Sequence, residues 1–166
     1  NVINAGLYIL EPEVMALVPE GEKYDFSKNL FPRLLEMGWP MYAQAINGVW
    51  FDVGSPQELI RAQNVLIDRR DELPFPLPEG ARIGDGSFIH PSSRVDSSAT
   101  IEQSVVAQDA VVEANVLLKH CVLMKGARVE EGACLEHCIL SPGAVVSANL
   151  SAKDTILGDQ ERLKNA

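Results

Sequence analysis

The middle of the chain carries a seventeen-residue unit that is written three times without a break. The copies are residues 101–117, 118–134 and 135–151, which read IEQSVVAQDAVVEANVL, LKHCVLMKGARVEEGAC and LEHCILSPGAVVSANLS. Aligned, they share aliphatic residues at the first, sixth and twelfth positions and alanine at the tenth: Ile101, Leu118, Leu135; Val106, Leu123, Leu140; Val112, Val129, Val146; Ala110, Ala127, Ala144. Two further columns hold residues that tolerate a left-handed backbone: Asp109, Gly126, Gly143 and Asn115, Gly132, Asn149.

An aliphatic residue every five or six positions, with a turn residue between, predicts a triangular coil of short strands. Successive coils stack about 4.8 Å apart, so that equal columns become ladders of like side chains. No coil buries its own core, which is why such units occur in stacks. We expect an all-β left-handed parallel β-helix of hexapeptide repeats from Ile83 to Leu157, with residues 83–100 as its first coil. The alternative, an antiparallel sandwich, predicts strict period-two alternation at irregular spacing.

The first 72 residues have a different pattern, in which predicted strands alternate with predicted helices. The apolar run at 1–10 predicts a buried strand, and residues 41–46 and 49–51 predict a hairpin around Asn47-Gly48. Ser27 and Ser55 are the expected N-caps of two helices, the second with proline at its first position. Strands mixed with helices indicate an α/β fold, here the remnant of a Rossmann-like domain.

The chain therefore divides into two architectures. We expect part of an α/β domain at 1–72, a proline-rich linker at 73–82, the β-helix at 83–158 and a polar tail at 159–166. The linker prediction rests on PFPLP at 74–78, because proline fixes φ and removes backbone donors.

Composition excludes several classes of function. A net charge of −9 argues against nucleic acid as a partner, since a phosphate backbone needs a basic surface. No apolar run approaches eighteen residues, so no membrane span is expected. Three cysteines, an odd number at low density, predict a reducing, cytoplasmic location. The chain starts at Asn1 and not at methionine, which suggests the later part of a longer polypeptide.

Three ordered motifs carry a family resemblance: NAGLYILEPEV at 4–14, YDFSKNLFPRLLEMG at 24–38 and GVWFDVGSPQELIRAQ at 48–63. They resemble the latter part of the sugar-1-phosphate nucleotidyltransferases, above all the mannose-1-phosphate guanylyltransferase group, with glucose-1-phosphate transferases next. The resemblance implies synthesis of an NDP-sugar and pyrophosphate from an NTP and a sugar 1-phosphate, with Mg²⁺. It also implies a glycine-rich nucleotide loop upstream of these residues, so the segment alone is expected to be inactive.

The same resemblance assigns roles to individual residues. Asp52, in the third motif, is expected to be the catalytic carboxylate that binds Mg²⁺, while the alternative is a turn aspartate that accepts backbone hydrogen bonds. Asn4 and Gly6 match the segment that lines the sugar pocket, although a buried strand also accommodates one asparagine and one glycine. Lys28 and Arg33 are candidates for phosphate contact, against the common case of solvated cations on a helix.

His120-Cys121 and His137-Cys138 recur at the seventeen-residue interval, which raises the alternative of a Cys₂His₂ zinc site. Adjacent residues of an extended chain point in opposite directions, so the two columns should not converge on one ion. The sequence therefore favours a packing ladder of cysteines inside and outward polar turns at the histidines.

Two other functions remain open at this point. A hexapeptide acyltransferase would use a histidine as base, but the repeat runs without the loop insertion that this class usually carries. A non-catalytic regulatory or scaffold subunit of the same fold is the other alternative. Exposed aliphatic ladders, Leu117 among them, predict a homo-oligomer, with a dimer favoured over a trimer.

Overall fold

A computed structural model describes residues 3–164, so residues 1–2 of the predicted first strand and 165–166 of the predicted tail lie outside it. The chain forms two compact units, Asn1–Trp50 and Phe51–Ala166. The helices are α1 Pro12–Met15, α2 Phe31–Glu36 and α3 Pro56–Asp68, with a π-helical turn at Phe26–Leu30 and a 3₁₀ turn at Arg70–Glu72. The strands are β1 Arg82–Gly84, β2 Ser87–Ile89, β3 Arg94–Val95, β4 Thr100–Glu102, β5 Val105–Val106, β6 Val111–Val112, β7 Leu117–Lys119, β8 Val122–Leu123, β9 Arg128–Val129, β10 Cys134–Glu136, β11 Ile139–Leu140, β12 Val145–Val146, β13 Ser151–Lys153, β14 Ile156–Leu157 and β15 Arg162–Leu163.

The first unit is held together by a small apolar cluster around Val14, Leu30 and Leu34. The cap of its second helical segment differs from the prediction. Asp25 accepts a hydrogen bond from the Lys28 amide at 2.9 Å, while the predicted cap, Ser27, lies inside the π-helical turn. Asp25 has extended backbone and an acceptor oxygen within reach of a free amide, so it caps the turn two residues before the predicted position. At the other end Gly38 has φ +68°, as its predicted place after the helix requires.

The predicted strands of the first unit are wrong for the described residues, because 3–10, 41–46 and 49–51 form no strand. Leu7 is 78% exposed and Ile9 is fully exposed, so the apolar run does not lie in a core. A strand needs a neighbouring backbone to take its hydrogen bonds. None is supplied within the described part of this unit, and the apolar pattern alone does not replace it.

The second unit is a parallel β-helix, as the repeat predicts. Its strands form three sheets in the described chain, in the orders β1-β2-β5-β8-β11-β14, β4-β7-β10-β13 and β3-β6-β9-β12-β15. Residues seventeen apart are paired at every level, for example Ile101 with Leu118 and Leu118 with Leu135. The repeat period of the sequence is therefore the length of one coil. The left-handed winding stays a prediction.

The limits of the β-helix differ from the predicted ones at both ends. Ile83 lies in β1, which pairs with β2 in antiparallel fashion, and parallel stacking begins only with Phe88 against Val105. At the other end β15 pairs with β12, which places Leu163 opposite Val146 in the stack. Hence β1 and β2, which were expected to begin the first coil, form a hairpin instead. Part of the predicted polar tail, around Leu163, belongs to a further coil.

One inward side chain from each short strand fills the core of the coils. Val106, Leu118, Leu123, Val129, Leu135 and Val146 are at most 1% exposed. The alanine column Ala110, Ala127, Ala144 is fully buried at a corner. The predicted left-handed corners are confirmed, since Asp109, Asn115 and Asn149 have φ of 58°, 56° and 57°.

Helix α3 belongs to the β-helix unit and not to the first unit, to which the sequence had assigned it. Ser55 caps its start by accepting a hydrogen bond from the Glu58 amide at 3.2 Å, as predicted. Ile60 packs against Val122 and Ile139 on the outer face of strands β8 and β11. This contact covers one of the three faces of the coil stack.

Candidate functional site

The turn that carries Asp52 lies directly before α3. The Gly54 amide donates to the Asp52 carbonyl at 2.9 Å, and Ser55 then begins the capped helix. The Arg61 guanidinium lies 5.6 Å from the centre of the Phe51 ring, an arrangement that holds the turn against the helix. The Asp52 side chain is exposed, and within residues 3–164 its carboxylate has no hydrogen-bond or ion-pair partner. The backbone of Asp52 is thus ordered while its carboxylate stays available.

An available carboxylate suits a hard divalent cation, which binds oxygen and leaves other positions for phosphate and water. Asp52 would be a single ligand, however, because residues 3–164 contain no group of three or more His, Cys, Asp or Glu residues that could hold a metal ion. The donor chemistry fits a magnesium ion that takes its remaining ligands from phosphates and water. It does not fit a self-contained structural metal site.

Asn4 and Gly6 are brought together in the first unit. The Gly6 amide donates to Asn4 Oδ1 at 2.9 Å, and Asn4 Nδ2 donates to the Tyr8 hydroxyl at 2.8 Å. Gly6 has φ +74°, a conformation that favours glycine. The Trp50 indole nitrogen donates to the Ala5 carbonyl at 3.1 Å and so fixes the middle of this turn. Asn4 keeps one N–H and one lone pair for another partner.

The two cationic candidates have different surroundings. Lys28 is exposed in the π-helical turn, with its ammonium in solvent. The Arg33 guanidinium donates to the Leu17 carbonyl at 3.0 Å, which ties α2 to the segment after α1. Arg33 therefore makes a contact that stabilises the fold, and Lys28 is the more accessible of the two cations for an anionic ligand.

The recurring His-Cys pairs form two separate ladders, as the packing interpretation predicts. Cys121 Sγ lies inside the coil and donates to the Lys119 carbonyl at 3.2 Å, and Cys138 makes the equivalent contact with Glu136 at 3.3 Å. Ser104 and Thr155 continue this ladder with the same bond to the carbonyl two residues earlier. A hydrogen bond with Cys138 and burial both raise the pKa of the Cys121 thiol, which makes it an inert packing group.

The His120 and His137 rings stack outside the coil with their centres 4.9 Å apart. Burial, and then the neighbouring His137 and Lys119, lower the pKa of His120. These residues also form a third left-handed corner that the sequence analysis missed. Gln103, His120, His137 and Asp154 have φ between 43° and 52°. The signal was their fixed place one residue before the Ser/Cys/Thr ladder, together with residue types, His and Asp, that occur at positive φ more often than most.

A shallow cavity of about 320 Å³ lies between α3 and this histidine corner. The apolar side chains of Ile60, Val65 and Ile156 line it, next to the polar side chains of His120 and Asp154. Helix and corner meet here because α3 packs on the adjoining sheet. Among residues 3–164, no helix is both long and apolar enough to cross a bilayer.

The described chain thus places a capped helix before a parallel β-helix whose coils are seventeen residues long. Comparisons with known proteins assign both parts to a class. Residues 83–166 match the family described as "GMPPB C-terminal domain", and residues 1–69 match the family described as "Nucleotidyl transferase". The chain belongs to the sugar-1-phosphate nucleotidyltransferase family, of which it represents the C-terminal part.

Individual relatives match different lengths of the chain. The chain is 32% identical over 130 residues to "Probable mannose-1-phosphate guanylyltransferase 1" of Oryza sativa subsp. japonica, which covers 77% of this chain and 36% of that protein. It is 39% identical over 67 residues to "UTP--glucose-1-phosphate uridylyltransferase" of Synechocystis sp., 40% of this chain and 17% of that protein. The chain thus spans about a third of the length of the guanylyltransferases that it matches.

A solved structure, the acetyltransferase domain of PglB from Neisseria gonorrhoeae FA1090, is 25% identical and covers 65% of this chain and 55% of its own. Its TM-score of 0.29 carries no argument about fold or activity.

Proposed function

We propose that this chain is part of an enzyme that makes an NDP-sugar and pyrophosphate from an NTP and a sugar 1-phosphate. One observation carries the proposal: the two family matches follow each other in one chain, the nucleotidyl transferase segment first and the GMPPB C-terminal segment second. The β-helix alone would not suffice, because unrelated transferases use the same coil.

The reaction needs positioning and charge neutralisation more than covalent chemistry. A phosphate oxygen of the sugar 1-phosphate attacks the α-phosphorus of the NTP, and the bond from that phosphorus to the oxygen bridging the α- and β-phosphates breaks. Pyrophosphate leaves with the bonding electrons, so no external oxidant or base is consumed. A bound Mg²⁺ would neutralise charge on the phosphates in this step.

Asp52 is the residue of this chain that we assign to the metal. Its carboxylate is exposed on an ordered turn, and the Arg61 guanidinium is directed at the Phe51 ring and so leaves this carboxylate unpaired. An unpaired carboxylate keeps its full charge for a cation, whereas an ion pair would compete with it.

Asn4 and Gly6 are assigned to the sugar, and Lys28 to a phosphate. The Asn4 amide has one donor and one acceptor beyond its contacts with Gly6 and Tyr8, which suits neighbouring hydroxyl groups of a hexose. Gly6 presents backbone without a side chain, with open space around its Cα. Lys28 supplies a mobile point charge, the form in which lysine usually meets phosphate.

GDP-mannose is the product we favour. Several of the matched relatives are named mannose-1-phosphate guanylyltransferases, from Oryza and Arabidopsis. A uridylyltransferase and an adenylyltransferase for glucose 1-phosphate also match. The test must therefore offer each base and both sugars.

The experiment uses the polypeptide in which these 166 residues follow the nucleotide-binding segment of the family, with pyrophosphate release as readout. Asp52→Asn keeps the size and hydrogen-bonding capacity but removes the charge. We expect kcat to fall by roughly two to four orders of magnitude, the scale of losing a main electrostatic contribution. Higher Mg²⁺ concentration should restore part of the rate if affinity for the ion is affected.

Asp68→Asn is the matched control, because Asp68 is also an exposed aspartate and lies at the end of α3. It should leave kcat within about twofold, since a surface substitution of this kind is usually near neutral. Near-normal turnover of Asp52→Asn would remove Asp52 from the site. Absence of pyrophosphate release with every NTP and sugar phosphate would contradict the proposed activity itself.

We also propose a cytoplasmic location and a homo-oligomeric assembly. The three cysteines, Cys121, Cys134 and Cys138, are free thiols, which suits a reducing compartment. The β-helix has an open sheet face beside the one that α3 covers, and exposed sheet faces with apolar groups favour association.

A further inference from the structure

One face of the β-helix has a pattern of outward side chains that is complementary to itself. It is the sheet of β4, β7, β10 and β13. The middle residue of each strand points inward, so the first and third residues form two outward rows. The mixed row is Thr100, Leu117, Cys134 and Ser151, and the charged row is Glu102, Lys119, Glu136 and Lys153.

The charged row alternates in sign from each coil to the next. Within the chain, Lys119 lies 3.9 Å from Glu102 and Lys153 lies 3.0 Å from Glu136. All four side chains are between 38% and 59% exposed, and so remain open to a second partner. Since strands are about 4.8 Å apart, the row presents one charge of alternating sign at each step.

Alternation over four rungs has a consequence for symmetry. Read in one direction the row is Glu-Lys-Glu-Lys, and read in the other it is Lys-Glu-Lys-Glu. A second copy placed face to face with its coils running the opposite way therefore sets an opposite charge at every rung. The operation is a two-fold rotation about an axis in the contact plane, parallel to the strands and midway between β7 and β10. Such a contact is isologous and closes as a dimer.

The same two-fold rotation also brings compatible side chains of the mixed row together. Leu117 of one copy meets Cys134 of the other at the centre, twice, and Thr100 meets Ser151 at the two edges. Leu117 is 37% exposed, and β7 and β10 are the two middle strands of the sheet. An apolar centre with hydroxyl groups at the rim is the usual arrangement of an interface.

The other two faces lack this property. Helix α3 covers the sheet of β8 and β11 through Ile60. The third sheet has β9 as its central strand, with Arg128 in the outward row. The same rotation there would place Arg128 against Arg128 and Arg94 against Arg162. Like charges face one another in that case, which opposes association.

We propose that the face of β4, β7, β10 and β13 is a two-fold homodimer interface with antiparallel coils. The inference goes beyond the proposed enzymatic function and does not depend on it. The face is small, so the dimer should be a weak one that forms at micromolar concentration. The charges set the direction and register of the contact more than its strength.

The test exchanges charges within the charged row without changing their number. E102K/K119E turns the row into Lys-Glu-Glu-Lys, which places like against like at every rung of the two-fold dimer. E102K/K119E/E136K/K153E turns it into Lys-Glu-Lys-Glu, which is complementary again. Net charge is the same in both variants and in the wild-type chain, and the quadruple variant also keeps the alternation within the chain.

Sedimentation velocity between about 1 and 100 µM, at about 50 mM salt to limit screening, gives the dimer dissociation constant. We expect the double variant to raise it at least about tenfold, or 1.4 kcal/mol, and the quadruple variant to return near wild type. Far-ultraviolet circular dichroism verifies that each variant folds. A wild-type chain that stays monomeric at 100 µM, a double variant that dimerises like wild type, or a quadruple variant that stays monomeric would each overturn the proposal.

Discussion

At the scale of single residues, the β-helix depends on corners that most side chains avoid. The left-handed corner column that begins at Gln103 holds His120, which combines a positive φ with a ring stacked on His137. Gln103, His137 and Asp154 adopt the same backbone in the other coils, so this corner is built without glycine or asparagine.

His120 should make the stability of the β-helix depend on pH. Burial, His137 and Lys119 lower its pKa from the ordinary value of 6.5, so the folded chain binds fewer protons than the unfolded chain. Stability from this group is present above about pH 6.5 and is lost as pH falls from there towards the lowered pKa. Urea unfolding at pH 7.5 and 5.5 should give a smaller free energy of unfolding at the lower pH.

His120→Gln should reduce that pH difference, because Gln103 occupies the same corner one coil earlier at φ 43°. His90→Gln is the control, and the loss at low pH should persist in it. A pH dependence that is unchanged in His120→Gln would assign the effect to other groups.

At the scale of single elements, each strand contributes through one inward residue. Strands of two or three residues are too short to be stable by themselves, and they form only because the same column is occupied in the next coil. Leu118 stands between Ile101 and Leu135 in such a ladder. The stability of one strand is therefore a property of its neighbours as well.

Adjacent leucines of β7 test this argument. Leu118 is fully buried and Leu117 is 37% exposed on the opposite side of the strand. Leu118→Ala should lower the free energy of unfolding by about 2–5 kcal/mol through lost burial and a cavity. Leu117→Ala should cost less than about 1 kcal/mol when measured on dilute, monomeric protein. Equal losses in urea titrations of the two variants would contradict the alternation of inward and outward positions.

At the scale of the whole molecule, the two units differ in how they are held together. The β-helix has a continuous core of inward ladders, while the first unit has one small cluster around Leu30 and Leu34. Leu7 and Ile9 of the first unit are exposed and lie outside that cluster.

The 166 residues alone should not catalyse nucleotidyl transfer, because the backbone cradle of a glycine-rich loop for a triphosphate is not among them. Purified chain, offered GTP, UTP or ATP with mannose or glucose 1-phosphate and Mg²⁺, should release no pyrophosphate above background. An active member of the family in the same assay is the positive control. Release of pyrophosphate by the chain itself would overturn this expectation.

The sequence alone determined the β-helix and its period. Each strand contributes one inward residue, so the same residue type recurs at equivalent positions of successive coils. The seventeen-residue spacing, the inward leucines and the left-handed Asp109 and Asn149 can therefore all be recognised from a single sequence. The helix cap at Ser55 and the helix end at Gly38 could also be predicted from the sequence, because contacts within about five residues of each position determine them. The family followed from three short motifs, whereas the roles of Asp52 and Asn4 stay predictions.

Only the tertiary structure decided the remainder. Whether residues 3–10 form a strand depends on a partner backbone, which an apolar run does not encode. The assignment of α3 to the β-helix depends on Ile60 meeting Val122 and Ile139, a contact between residues more than sixty positions apart. The hairpin of β1 and β2 and the further coil at Leu163 were decided in the same way, because strand pairing at the ends of a stack depends on which neighbours are present.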